Sequence, residues 1–176
     1  MRNGVWMTMC LAALLFPGLG RGNGLGAPDS AGNRGEHPIR IDIPVVLEEA
    51  SVVFNMDHAA FTGDLPVGMN YMRLMAGRFA EMKTKGKIIG VFHSEAAYMT
   101  LNDRAYNAYR KVSTGNPYKQ LIAGLIGSGV QIEECAVSMK NHQWGNEDLL
   151  PDIKVNSGAV GRIVQLVHSG FVQIQP

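Results

Sequence analysis

Short apolar runs of strand length alternate with helix-like segments through most of this chain, and this alternation limits the fold more than any other feature. The strand-like runs are 51–56, 87–92, 130–134, 153–155 and 171–174. Apolar residues at helical spacing predict helices over 66–85, 96–101, 103–109, 117–128 and 157–168. Strands that alternate with helices build a parallel or mostly parallel sheet that is covered on both faces. The sequence therefore predicts an α/β fold with a mostly parallel sheet of about five strands.

Residues with known capping preferences give the expected ends of these helices. Asn102 is the expected N-cap of the segment 103–109, and Ser157 is that of the last helix. Gly86 is expected to end the first helix as a C-cap glycine. The stretch 138–142, which follows the third strand, is predicted to be a polar loop with a helical tendency.

Net charge and aromatic content argue against nucleic acid as a partner. The chain has 176 residues, which is enough for one domain with its own core. Its formal net charge is +1, and 7% of its residues are aromatic. The sequence shows neither the basic stripe nor the stacking aromatic residues of a nucleic-acid-binding protein. We therefore expect no nucleic acid partner.

The amino terminus has the composition of a secretory signal peptide. Arg2 precedes an apolar stretch, 5–16, which is interrupted by Thr8 and followed by a glycine-rich run to Gly26. About ten apolar residues are too few for an ordinary transmembrane helix but suit a signal-peptide core. We expect residues 1–26 to be removed on export, which predicts a periplasmic or secreted protein with no membrane span in the mature chain. A buried or frayed N-terminal helix is the alternative.

The rest of the chain divides into a leader and a folded domain. Residues 27–49 are expected to form a flexible leader with an edge segment near 41–46, where Pro44 argues against a central strand. The domain then covers residues 50–176. Because Cys10 falls in the predicted signal peptide, Cys135 would be the lone thiol of the mature chain. Such a cysteine in an oxidising compartment is a candidate for reactivity or for intermolecular pairing.

Cys135 stands at the carboxyl end of the third predicted strand, which is the sheet edge where α/β proteins place their ligand and reaction sites. The thiolate is the nucleophilic form of cysteine, and Lys140 or the backbone N–H groups after Cys135 would favour it. The carboxylates of Glu133 and Glu134 would oppose it. Their side chains face opposite ways along a strand, so at least one would lie near the thiol's own face or the next subunit. His93 and His58 follow the two preceding strands, so parallel pairing would bring both to the same edge.

The same side chains also fit purely structural roles. Cys135 suits a small buried hydrophobic position, His93 a structural histidine, and His142 a solvated side chain. No Cys and His pairs have zinc-site spacing, and there is no Gly-x-Ser-x-Gly elbow. Gly127 and Gly129 lie between a helix and a strand, which is the reverse of a dinucleotide fingerprint. The sequence predicts neither a metal nor a cofactor.

Three segments, taken in order, resemble the DsrE/DsrF-like (YchN-like) family. They are KIIGVFHSEAAYMTL from Lys87, NPYKQLIAGLIGSGVQIEECAVSMKNH from Asn116 and EDLLPDIKVNSGAVGRIVQLVHSGFVQIQP from Glu147. The family order is a strand ending in His-Gly, a helix, the phrase Gly-Val-x-Ile-x-x-Cys, Asp-Leu-Leu-Pro before a small strand, and a closing helix ending in Gly-aromatic. The resemblance covers about residues 50–176. Ser94 replaces the usual glycine, and Glu134 stands where an apolar residue is common.

This resemblance implies a three-layer α/β/α domain assembled as homotrimers or homohexamers. It also implies a sulfur carrier or sulfurtransferase that holds sulfane sulfur as a persulfide on Cys135 and passes it to a partner thiol protein. By position, Cys135 and His93 match the family's cysteine and strand-end histidine. We add His58, Lys140 and Ser94 as candidate binding residues. The alternative, from a different functional class, is a non-catalytic oligomeric binding module with a small-ligand or partner cleft between its subunits.

Overall fold

A five-stranded sheet forms the centre of the chain in our computed structural model, which describes residues 38–176. The strands are β1 (Val52–Met56), β2 (Phe61–Thr62), β3 (Leu65–Pro66), β4 (Ile88–Phe92), β5 (Gln131–Cys135), β6 (Lys154–Asn156) and β7 (Val172–Ile174). The sheet has the order β6-β5-β4-β1-β7, and each neighbouring pair is parallel. Strands β2 and β3 form a separate antiparallel hairpin that the sequence did not predict. The predicted parallel sheet is confirmed.

Helices cover both faces of this sheet. Within the described residues they are α1 (Val67–Met82), α2 (Asp103–Arg110), α3 (Lys119–Gly127), α4 (Ala136–His142) and α5 (Ala159–His168), with 3₁₀ helices at Ser94–Thr100 and Asn146–Asp148. On one face, Ile163 and Leu166 of α5 pack in a cluster with Val53 of β1. On the other, Met72 of α1 and Ile122 of α3 belong to the main core. The two helical layers and the sheet make the three-layer α/β/α architecture.

The strands are apolar because both of their faces are covered. All five residues of β4 are buried, and so are four of the five in β1. Alternate residues point to opposite faces of a strand, so β5 sends Ile132 and Glu134 towards the α1 and α3 layer. It sends Glu133 and Cys135 towards α5. This alternation decides which helices surround the thiol.

Two of the expected helix ends are wrong, and one is confirmed. Helix α1 ends at Met82 with Lys83 in the left-handed conformation, three residues before Gly86. Gly86 instead lets two backbone segments approach closely, since a Cβ there would lie 1.6 Å from the Ala50 carbonyl oxygen. The N-cap of α5 is Gly158 rather than Ser157. Asn102 is the N-cap of α2, where its side chain accepts the Ala105 N–H at 2.9 Å.

Residues 38–51, the described part of the chain before β1, have little regular structure. The signal peptide predicted at 1–26 and the first part of the predicted leader lie outside the described residues. The edge segment expected near 41–46 forms no strand; the first bridge is at Glu49, which pairs in parallel with Lys85. None of the helices within residues 38–176 is long and apolar enough to cross a bilayer.

Candidate functional site

A cavity of about 500 Å³ lies beyond the carboxyl ends of β4 and β5. The start of α4, the start of α5 and the 3₁₀ helix after β4 enclose it. The residues that line it include His93, Ser94, Cys135, Ser138, His142 and Ala159. The cavity therefore occupies the position in which open parallel sheets hold their ligands. It brings Cys135, His93 and Ser94 together, as their places at strand ends led us to expect.

The Cys135 sulfur lies on the cavity wall at the start of two helices. Cys135 is the last residue of β5, and its extended backbone is the N-cap of α4. Its Sγ accepts the Ala159 N–H, the first of α5, at 3.3 Å. The residue is only 4% exposed, so an incoming group reaches the sulfur through the cavity rather than from open solvent.

The hydrogen bonds around Cys135 favour its thiolate. Burial raises the pKa of the thiol, because a charged sulfur is less well solvated there. The N–H groups of Ser138, Ala159 and Val137 and the Ser138 hydroxyl act in the opposite direction, and the net pKa lies below its ordinary value. N–H groups at a helix start stabilise a nearby anion, which is the recognised means of activating a cysteine.

Ser138 connects the thiol to the loop after β4. The backbone N–H of Ser94 donates to Ser138 Oγ at 3.0 Å, which leaves the hydroxyl hydrogen of Ser138 free to point at Cys135. Ser94 has a left-handed backbone, with φ of 52°, a conformation that glycine adopts without strain. This geometry explains why a glycine suits the position and shows that serine is accommodated here.

His93 lines the same cavity and is held as a neutral ring. Its Nε2 lies 2.7 Å from Asn55 Oδ1, which can only accept, so Nε2 carries the hydrogen. Nδ1 then accepts from the Ser94 hydroxyl at 2.9 Å. Burial lowers the pKa of His93, and the Asp57 carboxylate only partly offsets that effect. The ring is therefore uncharged at neutral pH.

Two of the candidate binding residues lie away from the sulfur. His58 follows β1 and is exposed, and its ring forms a hydrogen bond with the carboxylate of Asp57 rather than lining the cavity. Lys140 lies on the exposed side of α4 and is also absent from the cavity wall. The structure thus places Ser94 on the cavity wall that also holds the thiol, and His58 and Lys140 on the exposed surface.

The two glutamates before Cys135 lie on opposite faces of β5. Glu133 shares the thiol's face but is paired, because Arg162 Nη2 donates to it at 2.8 Å and Nε at 3.0 Å. Burial raises the Glu133 pKa, and the bonds from Arg162 and Gln131 more than reverse the effect, so the carboxylate is retained. Glu134 is fully buried on the other face, where Thr100 Oγ1 lies 2.8 Å from its Oε2.

Two residues of this site are not apparent from the sequence. The sequence predicts a loop at Ser138, although this residue lies in α4 with its side chain next to the thiol. Ala159 escapes prediction because an alanine gives no sign that its backbone N–H is in use. The small Gly158-Ala159 pair at the start of a helix after a strand is the available signal.

Among residues 38–176, no group of three or more His, Cys, Asp and Glu side chains is arranged to hold a metal ion.

Comparisons with known proteins agree with this fold. The sequence model described as the DsrE/DsrF-like family matches residues 48–176. A protein of unknown function, MTH1491 from Methanobacterium thermoautotrophicum, is 21% identical with a TM-score of 0.56, over 72% of this chain and 99% of its own. The ychN protein from E. coli is 14% identical with a TM-score of 0.53, over the same shares of the two chains. No functionally curated protein matches the chain.

Proposed function

The chain belongs to the DsrE/DsrF-like family, and on that premise we propose that it is a sulfur carrier or sulfurtransferase that holds sulfane sulfur on Cys135. The observation that carries the proposal is the thiol on the wall of a 500 Å³ cavity, where N–H groups from two helix starts lower its pKa. A thiolate at neutral pH is what sulfane sulfur transfer requires.

The transfer consists of two thiolate substitutions. In the first, the Cys135 thiolate attacks the outer sulfur of a donor persulfide, R–S–S–H; one S–S bond forms, the donor's own S–S bond breaks, and R–S⁻ leaves. In the second, an acceptor thiolate attacks the outer sulfur of the Cys135 persulfide, and Cys135 leaves as a thiolate. Each step exchanges one S–S bond for another, so no oxidant or reductant is consumed.

His93 and Ser94 are suited to move the acceptor's proton. The free electron pair of His93 is on Nδ1, which accepts from the hydroxyl of Ser94, and both residues line the cavity. A proton leaving an acceptor thiol in the cavity would pass to Ser94 Oγ while Ser94 passes its own to His93. Lys140 and His58, which are exposed, are proposed as contacts for the donor or acceptor protein.

Mass spectrometry after treatment with polysulfide tests the carrier function. We expect the protein to gain the mass of one or more sulfur atoms on the peptide that contains Cys135, and dithiothreitol to remove it. The Cys135→Ser variant should gain nothing there, and Cys10→Ser, made in the full 176-residue chain, is the matched control that should behave as the native chain does. Absence of the adduct on the native protein, or an equal adduct on Cys135→Ser, refutes the proposal.

The small exposed fraction of Cys135 favours a second candidate function. At 4% exposure the sulfur also suits a packed structural residue in a non-catalytic binding module whose cavity holds a small ligand. Titration with a thiol reagent separates the two functions. Reaction of the native protein at neutral pH supports the carrier, whereas a thiol that reacts only after unfolding supports the binding module.

Assembly and export belong to the same proposal. Val160, Val164 and Val167 form an exposed apolar row on α5, and Val160 also lines the Cys135 cavity. A second copy that covered this row would bury it and close the cavity mouth, as expected of a homotrimer or homohexamer. Light scattering should give a mass of three or six chains, and Val164→Lys should lower it. Fractionation of the source cells should place the protein in the periplasm or the medium.

A further inference from the structure

Glu134 is a buried carboxyl group that takes no part in the proposed transfer steps. Its side chain is completely inaccessible, and Cys135, on which the proposed function rests, follows it in the chain. Its Oε1 accepts the backbone N–H of Cys135 at 3.0 Å, and its Oε2 contacts Thr100. A buried carboxylate ordinarily requires a cationic partner or several strong donors.

No cation compensates a charge on Glu134 among the residues that the structure describes. The ion pairs within 38–176 do not include it. The elements packed on β5 and the residues adjoining them carry these titratable groups: Lys87, His93, Glu95, Tyr98, Tyr118, Lys119, Lys140, His142 and Lys154. Glu133, its neighbour on β5, points to the other face and is neutralised by Arg162. Cys135 is the titratable group whose charge acts on Glu134, and it is of the same sign.

The number of hydrogens at Thr100 identifies the protonation state of Glu134. Thr100 Oγ1 lies 2.8 Å from Glu134 Oε2 and 2.8 Å from the Ala97 carbonyl oxygen. A hydroxyl has one hydrogen, and a carboxylate and a carbonyl can only accept. With Glu134 ionised, one of these two oxygen–oxygen contacts would contain no hydrogen. With Glu134 protonated, its O–H donates to Thr100, and Thr100 donates to Ala97.

We propose that Glu134 is a positioning residue for Cys135 and acts as a neutral carboxylic acid. The chain of bonds runs from the Cys135 N–H to Glu134, then to Thr100 and to the Ala97 carbonyl, so each polar atom has a partner. It fixes the backbone where β5 becomes α4, the point that aims the sulfur at the N–H groups of Ser138 and Ala159. It does so without placing a negative charge beside the thiolate. Burial raises the Glu134 pKa well above its usual value, which agrees with this state.

Infrared spectroscopy of the purified protein at neutral pH observes the acid directly. A protonated carboxyl absorbs above the amide band, whereas carboxylates of ordinary pKa do not. We expect the native protein to show this band and Glu134→Gln to lack it. In Thr100→Ser the infrared band should keep its native position. In Thr100→Val, which removes the hydroxyl that accepts from the Glu134 O–H, the band should shift. Absence of the band in the native protein, or its survival in Glu134→Gln, overturns the proposal.

The pH profile of Cys135 alkylation tests the positioning role. Glutamine keeps both hydrogen bonds and cannot ionise, so the Glu134→Gln profile should coincide with the native one; a shift to lower pH would reveal that a carboxylate had been removed. Glu134→Leu lacks the acceptor for the Cys135 N–H, so the thiolate fraction at neutral pH should fall about threefold to tenfold, the factor of one ordinary hydrogen bond, and alkylation should slow about twofold to threefold. An unchanged profile in a folded Glu134→Leu overturns the positioning role. If Glu134→Leu does not fold, the Glu134→Gln profile and the infrared band still decide whether Glu134 is a neutral acid. Neither measurement involves sulfur transfer, so failure to form a persulfide would refute the carrier function and leave this result standing.

Discussion

Replacing Ser138 with alanine removes one hydrogen-bond donor to the Cys135 sulfur and leaves the backbone donors in place. The side chain of Ser138 is 7% exposed and Cys135 is 4% exposed, so water does not readily replace the lost hydroxyl. A hydrogen bond to a charged group contributes about 1.5–3 kcal/mol. Losing an interaction of the lower value reduces the thiolate fraction about tenfold at any fixed pH that is below the thiol pKa, since about 1.4 kcal/mol corresponds to a factor of ten.

The expected change in reaction rate is smaller than the change in thiolate fraction. A thiolate of higher pKa is intrinsically more nucleophilic, with a Brønsted coefficient of about 0.4–0.5. The remaining thiolate of Ser138→Ala therefore reacts about threefold faster, and alkylation by iodoacetamide at neutral pH should slow by about threefold overall. At high pH, where both thiols are ionised, the variant should react faster than the native protein. The crossing of the two profiles is characteristic of a change in thiol pKa.

Two control variants separate this effect from a general disturbance of the cavity. Val137→Ala changes a residue of the cavity wall that is 52% exposed, and it keeps every hydrogen bond to the sulfur. Its profile should match the native one. Ser138→Thr retains the hydroxyl and should restore most of the native behaviour. A Ser138→Ala profile that coincides with the native profile, or that moves to lower pH, would refute the assignment of Ser138 as a donor to the thiolate.

Three further predictions concern stability. Arg162→Ala leaves the buried Glu133 carboxylate without its ion-pair partner and should lower the free energy of unfolding, measured in urea, by about 2–3 kcal/mol. This loss is smaller than that expected for breaking a fully buried ion pair, because Arg162 is 26% exposed. Arg78→Ala breaks an exposed ion pair and, as a control, should change the urea midpoint little. Folding lowers the Glu133 pKa, so the stabilisation from its carboxylate is complete above the unfolded pKa of about 4.5 and is lost as the pH falls through the folded pKa. Between neutral and acid pH, the urea midpoint should therefore fall less for Glu133→Gln than for the native chain. Asn116 is 1% exposed, and its side-chain N–H groups donate to the Met99 and Leu101 carbonyl oxygens. Asn116→Ala should therefore lower the free energy of unfolding by about 2–3 kcal/mol and lower the Tm. An unchanged Tm would contradict this structural role.

The elements of this fold follow closely from the local pattern of the sequence. Ile88 to Phe92 forms the predicted strand because a strand buried on both faces is apolar throughout. The helix after Asn102 begins where its capping side chain predicts. The prediction for Gly86 is wrong because a helix end and a close backbone approach both select glycine. Only the structure, in which the Ala50 backbone lies against Gly86, distinguishes these two reasons for a glycine.

The chain alone determined that Cys135 stands at the carboxyl end of one strand and that His93 follows the carboxyl end of another, since both positions follow from runs of apolar residues. The pairing of these two strands comes from the structure. The tertiary structure decided what surrounds the sulfur. Strand β6 pairs with β5 so that Asn156 lies opposite Cys135, and the start of α5 then places the Ala159 N–H on a thiol 24 residues away in sequence. Likewise, the 3₁₀ helix places Thr100 on Glu134, 34 residues distant. Hydrophobic periodicity reports which face of an element is buried, but the partner of a single N–H or O–H depends on the register and packing of elements far apart in the chain.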